Sequence, residues 1–436
     1  MQLNKRFIFF VVILILAAYL RFYGVNWDQG QHLHPDERFL TMVTGAIQWP
    51  KNLFEYLDSV SSPLNPHNKG FGFFVYGTFP IFFTKWFIDT FAKEDYNSIT
   101  IIGRQLSAMV DLGTVVLVFL IGKQLISNFK FQISNQIPKS KPQNLPLLAM
   151  FLYSTMVLPI QLSHFYAVDT YLTFFITLSF YILIKLINCK LIGNWKLEIG
   201  NYAISLGIAF GLALASKISA VLFLPIIALG FISILIKNKS LFFARPGASL
   251  LRFGVICCLL SVVCYLTFRL AQPYLFAKPN ILDLTLNQKV VDNWKQLKSF
   301  DDPTGGFPPS VQWITTKSYL FPLKNMLLWG LGLPLGITAV LAVLYQVLCI
   351  TYYVLKRKTY LILNTYYLIL VLALLWVLLL FFYQGSQFVK ALRYFYPIYP
   401  FLAFISSYFI FQVINKFRIG LLGYLLKIQE GHEIIN

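Results

Sequence analysis

The sequence predicts an all-α, polytopic membrane protein with about ten transmembrane helices and two interfacial helices in its first outer loop. Three observations carry that prediction. Only 12% of the 436 residues are charged and 57% are apolar, where a soluble domain carries about 25% charged residues. Apolar runs near the roughly 20 residues that a bilayer demands recur along the chain. The 36 Lys and Arg outnumber the 17 Asp and Glu, a formal charge of +19, and they sort by loop as membrane topology requires. In a soluble chain such a charge would point to nucleic acid. Here it reports sidedness, so the expected partner is a lipid bilayer and no nucleic acid.

The first run, 7 to 23, follows Asn4-Lys5-Arg6. A signal peptide would place small residues next, but Leu20-Arg21-Phe22-Tyr23 follows, so the run reads as a retained span. Further runs lie at 101 to 126, 146 to 162, 169 to 187, 200 to 216, 218 to 236, 251 to 271, 326 to 349, 360 to 382 and 394 to 415. The segment from 71 to 92 is long enough to cross but contains Gly72, Gly77, Pro80, Lys85 and Asp89 among its aromatics, which suits an interfacial helix. If it stays at the interface and the N-terminus is cytoplasmic, 19 basic residues and only Glu198, Glu430 and Glu433 face inward. If it crosses, the last 17 of those bases move outside, against the positive-inside rule. Ten spans with both termini cytoplasmic follow. The loops 24–100 and 272–325 and the short junctions near 163–169, 217 and 383–393 are then outside, with 13 of the 17 acids. The loop 272–325, with Asp301-Asp302-Pro303-Thr304-Gly305-Gly306, is expected to close over a site.

The chain reads as one membrane-embedded domain, 1–436, without internal repeats, which weighs against a transporter built from inverted halves. Cys189, Cys257, Cys258, Cys264 and Cys349 lie in or beside apolar runs and read as packing residues rather than as a disulfide or zinc framework. Phosphate loops, nucleophile elbows and His-Glu-x-x-His are absent.

Chemistry must therefore come from the outer loops. In His32-Leu33-His34-Pro35-Asp36-Glu37-Arg38, Pro35 and the two carboxylates mark a helix start. The helix runs from about 36 to 49, with Phe39, Leu40, Val43, Ala46 and Ile47 on one apolar stripe. Asp36 and Glu37 read either as ordinary first-turn acids or as a catalytic pair, and His32 and His34 beside them admit a divalent metal. Asp169, with His164 ahead of it, reads as a helix cap or as a group that positions an acceptor or a metal. Lys217 and Arg393 break the positive-inside pattern at outer junctions, and Arg104 opens the second span on the same side. Each reads as a snorkelling cation or as part of a clamp for an anionic lipid headgroup. Asp111, inside that span, reads as a functional suspect or as the partner of a basic neighbour.

In order along the chain stand Leu20-Arg21 and the acidic pair, then an aromatic interfacial segment before Arg104-Gln105-Leu106-Ser107-Ala108. His164 to Asp169, Ala215-Ser216-Lys217, and Arg393-Tyr394 leading into Pro397-Ile398-Tyr399-Pro400 complete the series. This series resembles the C-type superfamily of membrane glycosyltransferases. Within it the series is similar to family 39, the protein mannosyltransferases and their bacterial lipid A aminoarabinose-transferase relatives. Trp27-Asp28-Gln29-Gly30, Ser62-Pro63-Leu64-Asn65-Pro66 and Tyr76-Gly77-Thr78 look like those of a bacterial and archaeal branch.

The resemblance implies an inverting glycosyltransferase of a prokaryotic cell membrane. It would move a sugar from a polyprenyl-phosphate donor to a hydroxyl acceptor on the outer face. It implies catalytic roles for Asp36 and Glu37, acceptor or metal positioning by Asp169, His34 and His164, and donor-phosphate contacts by Lys217, Arg393 and Arg104. No cofactor is implied beyond a divalent metal ion of unknown ligand set. Neither the sugar-binding domain of eukaryotic protein mannosyltransferases nor the Trp-Trp-Asp motif of oligosaccharyltransferases is found, so protein O-mannosylation and N-glycosylation are not specifically expected. The alternative is a transporter or lipid flippase without transferase chemistry.

Overall fold

The computed structural model describes residues 5–93, 95–129, 143–189, 197–238, 246–302, 308–356 and 365–433. Lys130, Lys139, Lys141, Lys190, Lys196, Lys239, Arg245, Arg357 and Lys358 of the inward basic set lie outside the described residues, as do Pro303 to Gly306 of the second loop. The described fold is helical, apart from one isolated antiparallel bridge between Phe276 and Leu286.

Among the described residues, eight helices are long and apolar enough to cross a membrane: 96–126, 168–188, 198–216, 218–237, 249–271, 333–355, 367–386 and 392–417. A ninth crossing is broken. Helices α6 (Leu145–Ser154) and α7 (Val157–Ser163) form one apolar stretch bent by 58°. Helix α1 (Lys5–Phe22) is 18 residues long and supplies the tenth apolar segment, although Lys5, Arg6 and Arg21 make it the most charged. The third of those charges has a structural reason. Arg21 is fully buried and its Nε donates to Asp111 Oδ2 at 2.5 Å. Asp111 Oδ1 also accepts from the hydroxyls of Tyr153 and Tyr396. Arg21 Nη1 donates to Ser154 O at 3.1 Å, a carbonyl left without a helical partner by the break after α6. Freed backbone groups in a membrane must be satisfied internally. Asp111 thus takes the structural one of its two readings.

The first loop holds helices α2 (Pro35–Ala46), α3 (Leu53–Leu57) and α4 (Phe79–Phe91). Both expected interfacial helices are shorter than the sequence suggested. α2 stops at Ile47, which turns extended, instead of reaching 49. The segment 71–92 is helical only from Phe79, after Gly72 and Gly77, with Pro80 in the first turn where its missing N–H costs nothing. Thirteen residues rise only about 20 Å, short of the roughly 30 Å hydrocarbon core.

This loop has its own core. Leu40, Val43 and Ile47 of α2, Ile81 and Ile88 of α4, Leu64, Ile99 and Tyr166 are buried together. The second loop and the helix end that leads into it pack on it: Tyr56 Oη donates to Leu270 O (2.5 Å), Ser59 Oγ to Ala277 O (2.7 Å), and Thr78 N to Gln272 Oε1 (2.8 Å). Asn293, in helix α12 (Gln288–Ser299), donates to Gly72 O at 2.8 Å. Loops 24–100 and 272–325 therefore build one loop face at one end of the helix bundle.

The remaining helices in chain order are α5 (Tyr96–Phe129), α8 (Val168–Asn188), α9 (Leu197–Ser216), α10 (Leu224–Lys237), α11 (Pro246–Ala271), α13 (Leu320–Asn325), α14 (Leu333–Leu355), α15 (Thr365–Ser386) and α16 (Tyr399–Glu433). The span expected at 326–349 begins later, at Leu333, because Met326–Gly330 forms a π turn before Gly332.

Candidate active site at the loop face

Four helix ends meet at the loop face, and each supplies a charge. Asp36 stands in the first turn of α2 and Asp169 in the first turn of α8, where carboxylates are favoured by the helix dipole. Lys217 is the extended residue between α9 and the 3₁₀ turn Ile218–Phe223. Arg393 lies in the 3₁₀ turn Leu392–Ile398 that leads into α16.

The charges pair across the chain. Arg393 Nη1 contacts Asp36 Oδ2, and Lys217 Nζ lies 2.7 Å from Asp169 Oδ1. Tyr394 joins the two pairs, with Lys217 Nζ 4.7 Å and the Arg393 guanidinium carbon 5.4 Å from its ring centre. Tyr76 Oη donates to Asp36 Oδ1 at 2.9 Å. Burial, with the Asp169 carboxylate and Tyr394 adding to it, holds the Tyr76 hydroxyl well above its ordinary pKa and so keeps it a donor. Asp36 and Arg393 side chains are 23% and 30% exposed, enough for a ligand to reach them.

Gly77 sets the distance between the first loop and α9. A Cβ there would come within 2.1 Å of Ala215 O and 2.3 Å of Ser216 O, so only glycine lets Tyr76 sit beside Lys217.

Beneath Asp36, two of the expected site residues are bound to each other. Arg104 was expected on the donor phosphate and Glu37 among the catalytic acids, yet both are fully buried. Arg104 donates to Glu37 through Nε (2.9 Å) and Nη2 (2.5 Å) and to Asp28 through Nη1 (3.0 Å) and Nη2 (2.7 Å). Its Nη1 also reaches Val25 O at 2.8 Å, so five acceptor atoms surround its fork. Glu37 Oε2 also accepts from Tyr166 N at 2.8 Å. Gly103 lets the Tyr166 ring lie against α5; a Cβ would fall 2.4 Å from that ring. Glu37 and Arg104 therefore fix α2 to α5 and leave Asp36 as the accessible member of the pair. The hydrogen bonds from Arg104 hold the Asp28 carboxyl down to about 2.

The histidines are also committed locally. His34 caps α2, its Nδ1 accepting from Glu37 N at 3.2 Å, and its ring stacks on Phe165. Burial, with Arg393 nearby, lowers its pKa, which keeps that nitrogen free to accept. His164 directs its ring nitrogens at Ile160 O (2.7 Å) and Tyr23 O (2.8 Å), a bond pattern that ties α7 to the end of α1. Among the described residues no three His, Cys, Asp or Glu groups converge as metal ligands. The described donor set thus does not fit a metal as it stands.

Lys390 is a cation the sequence reading passed over. It is 4% exposed, and among the described residues its Nζ has neutral hydrogen-bond partners only, Thr316 Oγ1 (3.2 Å) and Phe388 O (3.0 Å). Burial lowers its pKa. The available signal was the one that flagged Arg393: a basic residue in the short junction 383–393.

No family model and no curated protein matches the chain. Solved structures do. The Archaeoglobus fulgidus oligosaccharyltransferase in complex with Zn and sulfate matches with a TM-score of 0.52 at 16% identity, over 96% of this chain and 51% of that one. AglB from the same organism, in complex with an inhibitory peptide and a dolichol-phosphate, matches with a TM-score of 0.51 at 12% identity, over 95% of this chain and 51% of that one. ArnT from Cupriavidus metallidurans bound to undecaprenyl phosphate gives a TM-score of 0.47 at 12% identity, over 92% and 59%. The chain thus spans about half the length of the oligosaccharyltransferase it matches. The likeness establishes a shared polytopic membrane fold.

Proposed function

We propose that this chain is an inverting glycosyltransferase that takes a sugar from a polyprenyl-phosphate donor to a hydroxyl acceptor at the outer membrane face. The observation that carries the reading is the pairing of Asp36 with Arg393 and Tyr76, joined through Tyr394 to Asp169 and Lys217. An acid–base group thereby stands beside two fixed cations at the end of a membrane bundle. Dolichol-phosphate in the structure of AglB supports the donor class, and the acceptor peptide tethered to the oligosaccharyltransferase of the same fold supports an acceptor site on this fold; the hydroxyl is this proposal's own choice.

In this account a donor phosphate draws Lys217 and Arg393 from their carboxylates onto its own oxygens. Asp36, released from Arg393 and still oriented by Tyr76, takes the proton of the acceptor hydroxyl. That oxygen bonds to the anomeric carbon from the face opposite the phosphate. The carbon–oxygen bond to phosphate breaks, and the two cations stabilise the charge left on the polyprenyl phosphate. Asp169, buried beside Lys217, holds that lysine in place and lies where an acceptor would enter.

Passive transport would require ionisable groups lining a passage through the spans. The deep pair Arg21 and Asp111 is instead fully buried and closed by Tyr153 and Tyr396. Mass spectrometry of surface glycans from cells with the gene, without it, and with only an Asp36→Asn copy tests the proposal. A sugar lost in the second and third strains and present in the first supports it. Identical glycans in all three sink it.

A further inference from the structure

A second polar cavity, of about 160 Å³, opens behind the catalytic cluster and shares one residue with its support. A single buried water needs only about 10–15 Å³. Its floor is Asp28, His32 and Arg104, all buried, and its rim carries the exposed amides of Asn26, Gln29 and Asn97.

The backbone that shapes it is held in an unusual conformation. Gln29 has φ 51° and His32 φ 50°, with Gly30 between them at φ 81°. Non-glycine residues in this left-handed region cost of order 1 kcal/mol or more and concentrate at ligand sites. Here the loop is wound around the Asp28 carboxylate, which accepts from the backbone N–H groups of Gly30 and Leu33. His32 is fixed on both sides: Nε2 donates to Asn97 Oδ1 (2.8 Å), and Nδ1 lies 3.1 Å from Thr100 Oγ1. The side-chain amides of Asn26 and Gln29 make no hydrogen bond among the described residues.

Charge narrows the ligand. The one guanidinium, Arg104, already faces two carboxylates, Asp28 and Glu37, so no positive excess remains for a phosphate or another anion. Planar amides with spare donors and acceptors suit hydroxyl groups. Two aromatic rings pack against lining residues, Tyr96 edge-on to His32 at 4.3 Å and Trp27 at 5.1 Å from the Arg104 guanidinium, and both are about 40% exposed. We infer that this cavity binds a neutral, hydroxyl-rich ring: a free monosaccharide or the terminal sugar of a glycan. This goes beyond the transfer reading and does not rest on it. Because Arg104 also holds Glu37, next in sequence to Asp36, occupancy of the cavity bears on the alignment of α2.

Binding is measurable on the full chain in nanodiscs by saturation-transfer NMR, with methyl hexosides, short neutral oligosaccharides, glucose 6-phosphate and glucosamine as probes. The neutral glycosides should bind the wild type and Asp36→Asn equally well. Tighter oligosaccharide than monosaccharide binding identifies a glycan terminus; equal binding identifies a free-sugar site. Gln29→Gly removes one amide while relieving the strain at φ 51°. Combined with Asn26→Ala it should weaken glycoside binding about tenfold or more at an unchanged melting temperature. No neutral glycoside binding to the wild type overturns the inference. So does tighter binding of glucose 6-phosphate or glucosamine than of neutral sugars, or wild-type affinity in the double variant.

Discussion

Asp28 and His34 carry opposite lessons about charge beside Asp36. Arg104 holds the Asp28 carboxyl at about 2, below its ordinary 3.8, so the ion pair adds stability that is fully present above about pH 4 and is lost as pH falls towards 2. Nearly two pH units on a buried carboxylate correspond to about 2 kcal/mol. Asp28→Asn should therefore lower the melting temperature in detergent by several degrees at pH 7, with the difference from wild type shrinking between pH 4 and pH 2. For His34 the burial-lowered pKa means that the unfolded chain binds the proton more readily. Stability should be full above about 6.5 and fall as pH drops below it. His34→Asn keeps a good helix cap and should remove that component from a melting-temperature profile across pH 5–8. At the cations, Lys217→Ala or Arg393→Ala should each lower kcat about 10²-fold, as for other lost charge stabilisers. The sequence singled out Asp36, Asp169, Lys217 and Arg393 by side-chain types unusual at one side of a membrane, and the structure brings the four together. The burial of Arg104 and Glu37 and the choice of Asp28 as partner were not legible, because they are tertiary facts.

Helix ends, rather than helix bodies, decide the chemistry, and their positions depend on close contacts between elements. The sharpest is Gly77 against the last carbonyls of α9. Gly77→Ala should push the 71–78 segment away from Lys217 and separate Tyr76 from Asp36. A displacement of about 1 Å at such a site costs on the order of 10²-fold in rate, while overpacking of this kind costs about 1–3 kcal/mol in stability. Steady-state kinetics beside a thermal melt would show both losses; wild-type values in both would refute the contact's role. The apolar stripe of α2 was legible, since Leu40, Val43 and Ile47 are all buried as their spacing implies. The ends of α2 and α4 were less so. The segment 71–78 is held out of helical conformation by Asn293 on Gly72 O, by Gln272 on Thr78 N and by Gly77 against α9, contacts with residues more than a hundred positions away in sequence.

At the scale of the whole molecule, ten apolar segments were readable from run length alone, and the structure finds a helix or a bent helix pair at each. The break between α6 and α7 and the Arg21–Asp111 pair that seals it were not, because periodicity says nothing about which carbonyl a distant arginine will reach. The proposed orientation has its own check. In a cysteine-free background, a membrane-impermeant maleimide applied to intact cells should label Asn68→Cys on the loop face and leave Lys356→Cys at the opposite end unlabelled; the reverse pattern would invert the topology.

The central claim is that Asp36 removes the acceptor proton beside a lipid phosphate held by Lys217 and Arg393. Turnover of a radiolabelled polyprenyl-phosphate sugar by the full chain in nanodiscs, with cell-envelope extract as acceptor, measures it directly. The account predicts release of polyprenyl phosphate by the wild type and a fall of about 10²- to 10⁴-fold in Asp36→Asn at an unchanged melting temperature. Near-normal turnover in that variant would contradict it.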